Sequence, residues 1–112
     1  MEAEEALNLA RKYFDHKDFA HAKDCFLLYL KAIKSEGAKP GVLRETYMML
    51  ARTCMELEEP DSARNWLAIA KKRRMMHCDA MAFISIAQLE IDLGFHSEAV
   101  EDLNMAETIL HD

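Results

Sequence analysis

Three pairs of alanines recur along the chain at one fixed separation: Ala10 and Ala22, Ala51 and Ala63, Ala87 and Ala99. A large apolar residue stands four places after each second alanine (Phe26, Leu67, Leu103), and a further core candidate three places beyond that (Tyr29, Ala70, Ala106). One place before each first alanine stand Leu9, Leu50 and Ile86, and four before it Ala6, Tyr47 and Phe83. Two antiparallel helices approach closely only where a small residue faces a small one, with bulkier neighbours filling the space around the crossing. The recurrence therefore predicts three helix hairpins built on one plan.

The apolar spacing supplies the six helices. Ala6, Leu7, Ala10, Tyr13 and Phe14 mark a helix over about 2–15. Asp18 can cap a second, over about 18–35, that presents Phe19, Ala22, Phe26, Tyr29, Leu30 and Ile33. The stretch SEGAKPG is the clearest loop. A third helix, about 41–57, carries Leu43, Tyr47, Leu50, Ala51 and Cys54. Pro60 suits the first turn of a fourth that runs to about Met75. A fifth, about 79–93, is capped by Asp79 and stopped by Gly94, and a sixth starts near Ser97. Short links between consecutive helices favour antiparallel pairs. The predicted fold is all-α, in a single domain over residues 1–112.

Composition agrees and excludes some functions. Of the 112 residues 51% are apolar, enough for a core, while Gly (3) and Pro (2) are scarce. A net charge of −6 opposes general binding to a phosphate backbone, so no nucleic-acid partner is expected. No apolar run reaches the roughly 20 residues that cross a bilayer, so no membrane partner is expected either. Cys25, Cys54 and Cys78 are odd in number and lack paired spacing. Together with an acidic N-terminus unlike a signal peptide, they point to a reducing, cytoplasmic setting. Lys71-Lys72-Arg73-Arg74 reads either as cations at a helix C-terminus or as a nuclear-import patch. His77-Cys78, with Cys25, Cys54, His16 and His21, has no zinc-ligand spacing, so no metal or cofactor is expected. Without a phosphate loop or nucleophile elbow, the chain does not read as an enzyme.

The pattern resembles the tetratricopeptide repeat family. DLGFHSEAVEDLNMAETIL carries the best match, with Leu93-Gly94 closing a first helix and Ala99, Leu103 and Ala106 at the family's spacing. ARKYFDHKDFAHAKDCF follows, with Ala10, Tyr13, Phe19, Ala22 and Phe26. The middle unit is weaker, with Cys54 where the family often has an aromatic. The units, about 3–36, 44–77 and 80–112, are spaced somewhat more widely than the family's repeat of about 34 residues. The resemblance implies three hairpins stacked in a right-handed superhelix whose concave face, lined by first helices, holds a peptide or helix of another protein.

On that implication the groove residues are Leu7, Met48 and Ile84, three before each alanine; Phe14, Met55 and Ile91, four after it; Arg11, Arg52 and Gln88, one after it; and Met81. Methionine adapts its shape to a bound helix. The clamp by which some members hold acidic chaperone termini is not carried over: its positions hold Leu7, Arg11, Met49, Met81 and Ser85, and only one is cationic. Two functions fit the resemblance. One is an adaptor or scaffold module, and the other is a small acidic chaperone of the type III secretion kind that masks a client. On the sixth helix, Ala99, Leu103, Ala106 and Leu110 form a stripe suited to its own hairpin. Val100, Met105 and Ile109 broaden the apolar arc, and they are expected to be covered by a second copy, a partner chain or further residues.

Overall fold

The computed structural model describes residues 2–72 and 79–111. Six helices occur among the described residues, with no strand: α1 Ala3–Asp15, α2 Phe19–Ser35, α3 Pro40–Glu56, α4 Pro60–Ala70, α5 Ala80–Leu93 and α6 His96–His111. The closest packing is between α1 and α2, α3 and α4, and α5 and α6, which makes three hairpins. Between hairpins, α2 lies against α3, and α3 meets α5. The Cα trace measures 44 × 31 × 19 Å, and the short dimension is about two helices deep.

The helix ends follow from local chemistry. The Asp18 carboxylate accepts the His21 backbone N–H, and the Asp79 carboxylate accepts those of Met81 and Ala82, so α2 and α5 start with satisfied donors. Pro40 and Pro60 occupy the first turns of α3 and α4, where a missing N–H costs nothing.

The turn inside each hairpin repeats more closely than the sequence does. Lys17, Glu58 and Gly94 hold the same place relative to Ala10, Ala51 and Ala87, and all are left-handed, with φ of 62°, 59° and 87°. In each turn the N–H of the next residue reaches back across the helix end. Asp18 donates to the Tyr13 carbonyl (2.8 Å), Glu59 to Cys54 (2.8 Å) and Phe95 to Glu90 (2.7 Å). Lys17, Glu58 and Gly94 themselves donate to Phe14, Met55 and Ile91. This is the left-handed helix stop, and two of the three copies use a residue with a Cβ. That conformation costs an L-residue about 1–2 kcal/mol, and glycine loses about half of the gain through its freer unfolded chain. Lys17→Gly and Glu58→Gly should therefore each stabilise the fold by about 0.5–1 kcal/mol. Gly94→Ala should cost about as much. Urea midpoints at constant slope check all three.

All six crossing alanines are buried, as are Phe26, Leu50, Leu67 and Ile86. One continuous core links the three hairpins, from Ala10 to Phe95. Buried Thr46 and Thr53 satisfy their hydroxyls by donating to the carbonyls of Val42 and Met49, one turn back.

Two expectations are corrected. The fourth helix ends at Ala70, not near Met75. Lys71 leaves the helical conformation there, and its ammonium turns inward to Glu90 and Asp102. Arg73, Arg74, His77 and Cys78 lie outside the described residues. On α6, Ala99 and Ala106 face the hairpin as expected, but Leu103 and Leu110 are 41% and 67% exposed. Asp102 is buried in their stead, because Lys71 offers it a charge partner inside.

Candidate functional site

The expected groove residues all lie at the surface or half-buried, on equivalent turns of α1, α3 and α5. On α3, Met48 and Met55 pack partly on the core while Arg52 projects outward between them. On α5, Ile84 is half-buried, Gln88 and Ile91 are exposed, and Met81 is 66% exposed. Because α3 and α5 are in contact, their two rows belong to neighbouring helices. The first row is less uniform. Arg11 is exposed, but Phe14 meets Phe19 edge-on at 5.1 Å within its own hairpin. Leu7 opens onto a depression of about 890 Å³ between the start of α1 and the end of α2, with Glu4, Leu28 and Tyr29. On α6, Val100 and Met105 are exposed and Ile109 is half-buried.

Helix α5 is unusual in being apolar nearly all round. Ala82, Ile86, Ala87 and Leu89 bury one side in the core. Met81, Ile84 and Ile91, at helical spacing, leave an apolar strip on the other. Among them the exposed polar residues are Gln88 and Asp92.

A second cluster, unforeseen in the sequence, lies between the second and third hairpins. The Lys71 ammonium donates to Glu90 Oε2 at 3.0 Å and to Asp102 Oδ2 at 3.1 Å. Glu90 is 1% exposed, and its Oε1 has no hydrogen-bond partner within the protein. Burial, reinforced by the Asp102 carboxyl beside it, pushes the Glu90 carboxyl up to about 8, with Lys71 pulling the other way. Burial also works against the Lys71 charge, but the bonds to the two acids outweigh it and hold its pKa above the ordinary lysine value. Two acids and one part-exposed ammonium thus share a largely buried junction that favours the protonated form of Glu90. The two acids are buried and Lys71 is part-exposed, so the cluster ties α4's end to α5 and α6.

The remaining chemistry-bearing groups are inert by environment. Burial raises the thiols of Cys25 and Cys54, which keeps them protonated. Among the described residues, no group of three or more His, Cys, Asp or Glu side chains is arranged to hold a metal ion. No helix among them is long and apolar enough to cross a membrane.

The fold and surface define an all-α protein of three packed hairpins. Comparison with protein-family models, with curated proteins and with solved structures returned no match.

Proposed function

We propose that the chain is a protein-docking module of the tetratricopeptide kind, with its hairpins stacked as a right-handed superhelix. The partner is a peptide or amphipathic helix laid along the first-helix face. Support for the repeat comes from the three left-handed turns in one register and the six buried alanines. The docking role rests on one observation: Met81 is a large apolar side chain left 66% exposed, in line with Ile84 and Ile91 on a helix whose other side is already buried. Arg52 projects from the neighbouring α3, and Arg11 holds the same position on α1, so the partner's apolar residues should be accompanied by acidic ones.

Selection of a peptide library on the immobilised chain tests this. Enriched sequences should carry apolar residues at helical spacing with acidic neighbours. Met81→Asp should weaken their binding by about tenfold or more, because a charge would enter a desolvated contact. Arg11→Glu with Arg52→Glu should weaken it less. All three positions are solvent-exposed, so stability should change by no more than about 0.5 kcal/mol. No enrichment, or affinity unchanged by Met81→Asp and by Ile91→Asp, would overturn the reading.

A further inference from the structure

The two junctions between hairpins differ in which helices meet, α2 on α3 in the first and chiefly α3 against α5 in the second, but their side-chain contacts share one register, and that register defines two complementary exposed faces. Lys23, the residue directly after Ala22, pairs with Glu59 at 2.9 Å. Arg64, the residue directly after Ala63, lies over the Phe95 ring at 4.2 Å and bonds Glu98 at 3.2 Å. Glu59 and Phe95 each directly follow the left-handed residue of their own hairpin's turn. Both junctions therefore bring the same position of one hairpin against the same position of the next.

The receiving side is buried in the second and third hairpins. Leu50, Thr53 and Cys54 are covered, and so are their counterparts Ile86, Leu89 and Glu90. The counterparts in the first hairpin, Leu9, Lys12 and Tyr13, are half-buried or exposed. With His16 and Asp18 they line a depression of about 420 Å³. The giving side is open at the other end. Phe26 and Leu67 are buried in their junctions, whereas the counterpart Leu103 is exposed. Ile33 is buried, whereas the counterpart Leu110 is exposed.

We propose that these two faces fit each other on separate copies of this chain, so that Leu103 and Leu110 of one copy pack over Leu9 and Tyr13 of the next. Charge selects the same occupant. Glu107 holds the position from which Lys71 reaches into the following hairpin. In that register Glu107 would meet Tyr13 and Cys25, the counterparts of Glu90 and Asp102, on a rim that also carries Lys12, His16 and Asp18. The inner junction puts a cation over two acids, and the outer one would put an acid over an uncharged pair with the Lys12 ammonium beside it. The contact is heterologous, so it does not close at two copies and extends into longer rows or a ring. It uses the hairpin ends and leaves the Met81 strip free, so it stands or falls separately from the docking role.

Light scattering over a concentration series up to millimolar should show a mass that climbs past the dimer. Leu103→Asp disables only the giving face and Lys12→Glu only the receiving face, and each variant alone should run as a monomer. Mixed, they should form a single one-to-one dimer, because each retains the face the other lacks. Glu107→Lys should abolish association, and Glu107→Lys with Lys12→Glu should restore it. Circular dichroism guards against unfolding, since all these side chains are exposed. A wild-type monomer throughout, a dimer that never grows, or variants that fail to pair when mixed would each overturn the proposal.

Discussion

Lys71→Met is expected to destabilise the chain by about 3–5 kcal/mol, far more than loss of any surface ion pair. Met matches the length of the lysine stem, so packing is largely kept and charge is what changes. Two carboxyl groups would remain between the second and third hairpins with no cation, and Glu90 already has one oxygen unpartnered. Water cannot solvate them without opening the junction. Lys23→Met is the control. Its bond to Glu59 is as short, at 2.9 Å, but Glu59 is 42% exposed where Glu90 and Asp102 are 1% and 9%, so the acid left behind stays solvated and the cost should be about 0–1 kcal/mol. Urea unfolding of the two variants measures the contrast. Equal, small losses would mean that water reaches the Lys71 cluster. Replacing all three groups by apolar residues should be neutral or stabilising, since a buried ion cluster seldom outperforms packed hydrocarbon.

The first junction suggests what such a replacement looks like. At the positions of Lys71, Glu90 and Asp102 it carries Leu30, Cys54 and Trp66, with Leu30 and Cys54 buried. Equivalent positions in two successive junctions thus use opposite chemistry. The apolar junction tolerates small shifts, because dispersion contacts are non-directional. The ionic one requires its charges in register, which ties the third hairpin to one placement.

That difference also explains what the sequence disclosed. Alanine spacing, caps and punctuation located five helices to within a residue or two at each end, because each signal is local. The left-handed turns at Lys17 and Glu58 were illegible, since neither residue is a glycine and only the surrounding helix stop imposes the conformation. The early end of α4 was hidden because Lys and Arg are good helix formers, and propensity alone extends the helix past Ala70. The Lys71 cluster was missed because charged residues on a helix read as solvated by default. A signal was present: Glu90 stands three places after Ala87, as the buried Cys54 does after Ala51. The apolar strip was legible as a pattern of Met and Ile at fixed offsets. The exposure of Met81 against the half-burial of Met48 depends on neighbours that no single helix discloses.

Glu90→Gln should remove most of a pH dependence that runs against the usual trend for carboxyl groups. Most paired carboxylates have lowered pKa values in the native state, so stability falls as acid protonates them. Glu90 is the reverse. Its folded-state value, about 8, lies above the ordinary 4.5, so the folded protein favours the protonated form. The unfolded chain releases that proton near 4.5 and the folded one holds it until about 8. The contribution of this group is therefore fully present below pH 4.5 and declines as pH rises towards 8, by a few kcal/mol in all. The groups facing it are Lys71 at the end of α4 and Asp102 on α6. A glutamine amide is a neutral stand-in for the protonated acid. It can donate to Asp102 and accept from Lys71, leaving one cation to balance one anion. At about pH 5 the variant and the wild type should be nearly equal in stability. By about pH 9 the variant should be the more stable by a few kcal/mol. Comparing the two chains cancels every other titrating group, including Asp18, whose pKa is lowered chiefly by its bond to His21. Parallel curves for wild type and variant across this range would show that Glu90 ionises normally and that the junction admits water.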